Sequence, residues 1–165
     1  MNNTDIVLNH KIFNEKINKI ENDEKTRVFC KHDFSHLMDV ARICYIINLE
    51  ENLNIDKDLI YVTALLHDLG RADEVDTGIN HSILSQEIAK EILKDLNFDD
   101  ISKQRIINAI KNHRTKEKND DRFIEIFYKA DKLSRMCFRC PARSICNWSE
   151  EKKNKTVIYW EDTKC

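Results

Sequence analysis

Glycine and proline are almost missing from this chain, which has 2 glycines and 1 proline among 165 residues. A β-sandwich or β-barrel needs a turn about every 8–12 residues, and many of those turns use glycine at positive φ. Two glycines cannot supply them, and the same counts exclude collagen-like and proline-rich disordered chains. The chain is therefore predicted to be all-α.

The composition indicates a single soluble domain with a sizeable hydrophobic core. Hydrophobic residues make up 41% of the chain and charged residues 34%, and a chain of this length buries about two thirds of its unfolded surface. With 27 basic and 29 acidic residues the net charge is −2, so no basic excess exists to bind a nucleic-acid duplex. No apolar run of about 18 residues and no signal-peptide pattern is present, so we expect no membrane association and a cytoplasmic location.

Helical periodicity predicts the elements. The predicted helices cover residues ~5–21, Asp33 to about Glu50, Asp56 to Leu66 with Gly70 as the stop, ~80–96, Asp99 to about His113, and ~121–136, with a loop containing Gly78 before the fourth. Asp56 opens a segment that is apolar on nearly all sides, which indicates the central helix. We predict a helical core over residues 1–136 and a Cys-rich tail over residues 137–165 packed on it; residues 156–160 fit either a short strand or an extended arm.

Imidazoles and carboxylates recur on the apolar faces of these helices. A lone buried histidine is more often a hydrogen-bonded core residue than a ligand, but here several converge, and burying them unpartnered costs several kcal/mol each. A metal ion is the usual partner, and nitrogen with carboxylate ligands suits Fe, Mn, Ni, Co or Zn. The pattern predicts one or two divalent transition-metal ions held by His36, His67, Asp68, His81, His113 and Asp131.

Part of this set resembles a known family. His36, the doublet His67-Asp68 and the distant Asp131 are similar to the H…HD…D signature of the HD superfamily of metal-dependent phosphohydrolases. The segment ALLHDLGR, residues 64–71, resembles the family's ALLHDIGK, and YKADK, residues 128–132, resembles its closing ADxL helix. The resemblance covers roughly residues 30–136 and implies an HD-domain helical bundle that hydrolyses phosphate ester or anhydride bonds.

Two further histidines narrow the resemblance. With His81 and His113 the pattern is similar to the H…HD…H…H…D members, such as bacterial HD-type diadenosine tetraphosphate hydrolases. That resemblance implies a second metal ion, held by the two histidines and a bridging Asp68. The match is partial, since Ser85 stands where glycine is expected and Arg114-Thr115 replaces Thr-x-Gly; His81 and His113 could instead contact substrate phosphate.

The first ligand is open to a competitor. Asp39 stands where the family commonly has arginine, in HLMDV rather than HxxRV, and His32 lies one turn before His36. We favour His36, because Val40-Ala41 follows it in the expected register. His10 lies outside the signature and is expected at the surface.

The predicted chemistry is hydrolysis by metal-bound hydroxide. A divalent ion lowers the pKa of bound water toward 7 and neutralises phosphoryl charge. We expect Asp68 to orient the hydroxide or accept its proton, and Arg71 to act with it on the transferring phosphate. The phosphate of a small, nucleotide-like substrate is expected to contact Arg71, Arg114, Lys132 and Arg135. The alternative is a non-catalytic metal- or nucleotide-binding sensor with a redox- or zinc-responsive Cys motif.

A second metal site is predicted in the tail. Cys137-x2-Cys140-x5-Cys146 places three thiols within ten residues, and Cys30 precedes the helix of His36. Four thiolates form a structural zinc site, with an iron–sulfur cluster less favoured; buried or incidental thiols are the alternative. Cys44 is expected in the core and Cys165 as a terminal thiol. The sequence leaves the oligomeric state open.

Overall fold

The structure, a computed structural model, describes residues 1–115 and 119–157, and over these ranges the chain is helical with no strand. The prediction of an all-α bundle is confirmed. The helices are α1 (Asn3–Asn9), α2 (Lys11–Asp23), α3 (Phe34–Glu50), α4 (Lys57–Leu66), α5 (Arg71–Thr77), α6 (His81–Leu93), α7 (Asp100–Asn112) and α8 (Arg122–Leu133), followed by 3-10 turns at Cys137–Arg139 and Arg143–Ile145. Cys165 and residues 158–160 of the possible strand or arm lie outside the described residues.

Polar side chains set where the helices begin. The carboxylates of Asp33, Asp56 and Asp99 accept the backbone N–H groups three residues further on, at 3.1, 3.0 and 2.7 Å. A carboxylate at this position satisfies an N–H that the helix itself leaves unpaired. The predicted starts of α3, α4 and α7 are therefore confirmed.

The single N-terminal helix predicted over ~5–21 is wrong. The backbone of His10 is extended, with φ −73° and ψ 132°, so α1 ends and α2 begins there. Its Nδ1 accepts the N–H of Ile12 at 3.2 Å, and its Nε2 lies 3.3 Å from Asp95 in a side chain only 14% exposed. His10 is thus a helix cap rather than the surface residue expected.

Helix α4 lies at the centre of the bundle, as its apolar sequence predicted. It contacts α1, α3, α6 and α7, and α3 also packs on α8. Its buried side chains are Leu59, Ile60, Val62, Thr63, Ala64, Leu65 and Leu66. Burying each Leu, Ile or Val contributes about 1.5–3 kcal/mol. The C-terminal end of this helix is thereby held inside the core.

Gly70 acts differently from the helix stop that was predicted. Helix α4 ends earlier, at Leu66, and Gly70 has an ordinary right-handed φ of −64° at the start of α5, in a stretch expected to be a loop. Glycine is required by packing: a Cβ there would lie 2.2 Å from the carbonyl oxygen of His81 and 2.5 Å from the N of Ser85. The Gly70 N–H also donates to Ser85 Oγ at 2.9 Å. This close approach brings the start of α6 against the turn that follows α4.

The described part of the Cys-rich tail lies on the end of α8. The Asn154 side chain donates to the carbonyl oxygens of Lys132 and Arg135 at 2.8 and 2.7 Å. The guanidinium of Arg135 lies 4.9 Å from the centre of the Trp148 ring. Helix α8 ends at Leu133, three residues before its predicted end, while the division into units at residue 136 stays a prediction. Along the described ranges, no helix combines the length and apolarity that a membrane span requires.

We predict that Gly70→Ala destabilises the protein. The added Cβ would meet backbone atoms of α6 below 3 Å, so α5 and α6 must separate, and overpacking of this kind costs about 1–3 kcal/mol. Chemical denaturation measures the loss. The matched control is Gly78→Asn: Gly78 has φ 68° with no atom within 4 Å of an added Cβ, and asparagine tolerates that φ. If Gly70→Ala had the same free energy of unfolding as the wild type, α6 would be able to move away from the added Cβ without loss of stability.

Candidate metal centre

Six buried side chains meet where the ends of several helices converge. His36 lies on α3, His67 and Asp68 in the turn after α4, His81 at the first position of α6, His113 directly after α7, and Asp131 on α8. None is more than 8% exposed. The structure thus brings together all six residues that the sequence grouped as metal ligands, although they span almost 100 positions.

The carboxylate of Asp68 is at the middle of the group. Its Oδ2 lies 3.7 Å from His36 Nε2 and 3.4 Å from His67 Nε2. Its Oδ1 lies 3.4 Å from His81 Nε2 and 3.5 Å from His113 Nε2. Two sets of three ligand atoms, each set within 4.8 Å, therefore share this one residue.

The backbone decides which nitrogen two of the imidazoles offer. His67 Nδ1 lies 2.7 Å from the carbonyl oxygen of Ala64, and His113 Nδ1 lies 2.6 Å from that of Ile110. A carbonyl oxygen can only accept, so each Nδ1 carries the hydrogen and donates it. Each Nε2 then keeps a free lone pair directed at Asp68.

Side chains have the same effect on the other two rings. Ser134 Oγ donates to the carbonyl oxygen of Asp131 at 2.7 Å, so it accepts from His36 Nδ1 at 3.2 Å. The carboxylate of Glu74 accepts from His81 Nδ1 at 2.9 Å. Because a second partner fixes the tautomer in this way, all four rings turn Nε2 toward Asp68, as in protein metal sites.

The inner atoms of the group have no hydrogen-bond partner among the residues that the structure describes. They are the Nε2 atoms of His36, His67 and His81 and the Oδ1 of Asp68. A buried polar atom left unpaired costs about 1–3 kcal/mol, and here lone pairs face a carboxylate. A cation among them would satisfy every one of these atoms, so the residues fit a divalent metal ion.

Burial and neighbouring charges favour the metal-binding protonation states. Complete burial lowers the pKa of His67 to about 3, which leaves the ring neutral at physiological pH. Burial alone would raise the pKa of Asp68, but its neighbours, the Arg71 guanidinium among them, outweigh this effect and hold that pKa well below its usual value. An ionised carboxylate among neutral imidazoles is the donor set that a divalent ion needs.

Asp131 is at the edge of the first set. Its Oδ1 lies 3.5 Å from His36 Nε2 and 3.5 Å from an Arg135 nitrogen, and its Oδ2 accepts from Lys132. Burial by itself would raise the pKa of Asp131, but the charges of Lys132 and Arg135 outweigh burial and lower the pKa below its usual value. The carboxyl is therefore ionised. A fourth, anionic donor is thereby available beside His36.

Three of the four cations predicted to bind phosphate adjoin the group. Arg71 Nε lies 3.2 Å from Asp68 Oδ2, with the side chain 19% exposed. Lys132 and Arg135 contact Asp131, and Arg135 is largely buried beneath Trp148. Arg114 is exposed on the segment after His113. Arg71 is therefore the cation that reaches from the surface to the central carboxylate.

The geometry favours His36 over His32 as the ligand from this segment. His32 is buried, but its ring Nδ1 is 2.8 Å from Glu24 Oε1, and its backbone N–H donates to Glu24 Oε2 at 2.6 Å. Its ring packs edge-on against that of His36, with centroids 5.4 Å apart. His36 is the one whose Nε2 faces Asp68 and Asp131.

Sequence reasoning missed the residues that hold the imidazoles. Glu24, Glu74 and Ser134 are single polar residues without a motif. Glu24 and Glu74 contact histidines eight and seven residues further along the chain, and Ser134 contacts one 98 residues before it. Glu74 lies on α5, which was predicted to be a loop. No sequence pattern in this chain marks them.

The cysteines lie beside this group. Cys30, Cys137 and Cys140 line a cavity of about 650 Å³ that also reaches His36, Ser134 and Arg135. Cys146 is partly buried, and Cys44 is fully buried in the core, as expected. Among the described residues, the sets of three ligand atoms within 4.8 Å consist of histidine and aspartate alone. A zinc site formed by Cys30, Cys137, Cys140 and Cys146 stays a prediction, which thiolate-bound metal in anaerobically purified protein would test.

We predict that Mn²⁺ stabilises the protein through Asp68. An ion that binds only the folded state at 100 times its Kd adds about 2.7 kcal/mol, so the thermal midpoint should rise when Mn²⁺ is added to chelator-treated protein. In Asp68→Asn the rise should disappear, because the bridging charge is gone. The exposed Asp100→Asn is the control and should keep it. An equal rise in Asp68→Asn would place the ion elsewhere.

Comparison with known proteins agrees with this geometry. The family model described as the HD domain matches residues 33–136. A protein of Clostridium beijerinckii (strain ATCC 51743 / NCIMB 8052), described only as uncharacterised, is 45% identical over 136 residues, which cover 82% of this chain and 85% of that protein. The crystal structure of a predicted HD superfamily hydrolase from an uncultured Thermotogales bacterium superposes with a TM-score of 0.64 at 25% identity, covering 87% of this chain and 79% of the other.

Proposed function

The chain belongs to the HD-domain family, and on that premise we propose that it hydrolyses phosphate ester or anhydride bonds in a small, nucleotide-like substrate. The HD domain implies a divalent metal, and membership supports a metal-dependent hydrolase in general. The observation that carries the proposal is Asp68, whose two oxygens each face two imidazole Nε2 atoms.

The proposal assigns the six residues to two adjacent cation positions. His36, His67, Asp68 and Asp131 would hold one ion, and His81, His113 and the other oxygen of Asp68 a second. Ions bound there supply the chemistry that phosphate hydrolysis needs: they lower the pKa of a bound water and offset phosphoryl charge. Nitrogen and carboxylate donors suit Fe, Mn, Co, Ni or Zn.

The protein's own contribution is to hold the metal-binding side chains and a cation for the phosphate in fixed orientations. The backbone and side-chain acceptors at each Nδ1 hold the rings, so no reorganisation is needed when substrate binds. Arg71 lies beside this centre, 3.2 Å from Asp68 Oδ2 and 3.8 Å from Glu74 Oε2, with its side chain 19% exposed. A guanidinium so placed forms charge-assisted hydrogen bonds to phosphoryl oxygens. Asp68 is also the residue to which we assign the orientation of a bound water or the acceptance of its proton.

A substrate panel separates catalysis from metal or nucleotide sensing. Metal-replete protein would be assayed with nucleoside mono-, di- and triphosphates, dinucleoside polyphosphates and cyclic nucleotides, each with Mn, Fe, Co and Ni. We expect turnover of at least one class. Binding without turnover in every combination would instead identify a sensor.

Asp68→Ala should reduce turnover of that substrate to the level of the metal-free protein, because both cation positions lose their shared ligand. Steady-state kinetics with the best substrate measures this. The control is Asp100→Ala, an exposed carboxylate on α7, which should retain wild-type rates. Activity retained in Asp68→Ala would reject the assigned site.

Arg71→Ala should lower kcat/KM about 10²- to 10³-fold, the usual effect of removing one donor to developing charge. Arg71→Lys should recover part of it, since lysine keeps the charge but not the forked geometry. The control is Arg42→Ala, an exposed arginine on α3. Equal kcat/KM for Arg71→Ala and wild type would show that another cation meets the phosphate.

A further inference from the structure

One of the four imidazoles is held by a charged group, unlike the others. His67 and His113 donate Nδ1–H to backbone carbonyls and His36 donates to a hydroxyl. His81 donates to the carboxylate of Glu74 at 2.9 Å. A carboxylate behind a metal-binding imidazole makes its other nitrogen a stronger donor. The Nε2 of His81 is therefore the stronger donor, and this benefits the cation position that includes His81 rather than the one formed by His36 and His67.

Glu74 is placed to act through His81 rather than as a ligand. Its Oε1 accepts both Nδ1–H and the backbone N–H of His81, at 2.9 and 3.1 Å. Its Oε2 lies 3.8 Å from an Arg71 nitrogen. The carboxylate thus occupies the side of the ring opposite the Nε2 that faces Asp68.

The two cation positions differ in the charge they offer. The position of His36 and His67 has one oxygen of Asp68 and the carboxylate of Asp131 beside it. Among the described residues, the position of His81 and His113 has the other oxygen of Asp68 as its carboxylate donor. Arg71 lies 3.2 Å from Asp68 Oδ2, the oxygen on the side of His36 and His67, and 3.8 Å from Glu74 Oε2, so its charge opposes a cation at either position. Without Glu74, this second position would keep the shared carboxylate of Asp68 but lose the negative charge behind His81.

We infer that Glu74 is a positioning residue that sets the occupancy of the second cation position, so that the two ions are held with unequal affinity and the ion at His81 and His113 is the exchangeable one. The inference rests on the metal centre of the proposed function. It makes α5 and the close approach at Gly70 part of the metal site, since these bring Glu74 to His81.

The test compares Mn²⁺ binding by full-length Glu74→Gln and wild type. Glutamine keeps an oxygen that can accept both N–H groups of His81 but removes the charge. Equilibrium dialysis with metal analysis should give two ions for the wild type. In Glu74→Gln, one ion should bind about 10- to 100-fold more weakly, the usual effect of losing such a partner, and the other as before. The electron paramagnetic resonance signal of two coupled Mn²⁺ ions should fall at subsaturating metal.

A matched control is Glu87→Gln, the same substitution at an exposed residue of α6 that pairs with Lys90. It should bind two ions as the wild type does. The thermal midpoint of metal-free protein separates positioning from a structural role, because Glu74 also accepts a backbone N–H at the start of α6. We expect the metal-free midpoint of Glu74→Gln to equal that of the wild type.

Several results would overturn the inference. These are unchanged affinity for both ions, an equal loss at both, or a loss explained by a lower metal-free midpoint. A wild type that binds a single ion also overturns it, while hydrolysis could still proceed. Two ions with the expected dependence on Glu74 but no turnover of any substrate support the inference and overturn the proposed function.

Discussion

The packing of this protein converges on one buried carboxylate. Asp68 is 2% exposed and faces four imidazole nitrogens at 3.4–3.7 Å. Such a group is unfavourable in a core unless a cation joins it, because unpaired buried polar atoms and an isolated charge both lose solvation. The surrounding elements supply what the carboxylate requires: ring nitrogens with fixed tautomers, the nearby guanidinium of Arg71, and a second carboxylate at Asp131.

Helix ends, rather than helix middles, form most of this centre. His67 and His113 each donate to the carbonyl three residues before them, in the last turn of α4 and α7. His81 begins α6. Its backbone N–H donates to Glu74, and its carbonyl oxygen lies where a side chain at Gly70 would be. Because α4 is apolar on nearly every side, its C-terminal end lies deep in the bundle and places His67 and Asp68 there. The same burial that stabilises the fold desolvates the site.

Periodicity and capping chemistry were sufficient for much of the fold. Asp33, Asp56 and Asp99 mark helix starts because their side chains act on residues three positions away. The break at His10 and the short helix α5 were not predicted. Each contacts a distant segment: His10 lies 3.3 Å from Asp95, and Asp73 of α5 lies 2.6 Å from Lys16 of α2. A pattern within one segment cannot report a contact that another segment provides.

For the site, the sequence by itself determined which residues are buried donors, because each of the six either lies on an apolar face or follows the most apolar helix. It also determined the family resemblance, which the comparisons confirmed at the level of the HD domain. The tertiary structure alone decided how those donors divide around Asp68, that Ser134 lies behind His36, and that Glu74 lies behind His81. Tautomer and charge at a buried ring depend on atoms within about 3 Å of it. For His67 and His113 that atom is a carbonyl of their own helix, but Ser134 reaches His36, and three of the four rings reach Asp68, only through packing of the helices.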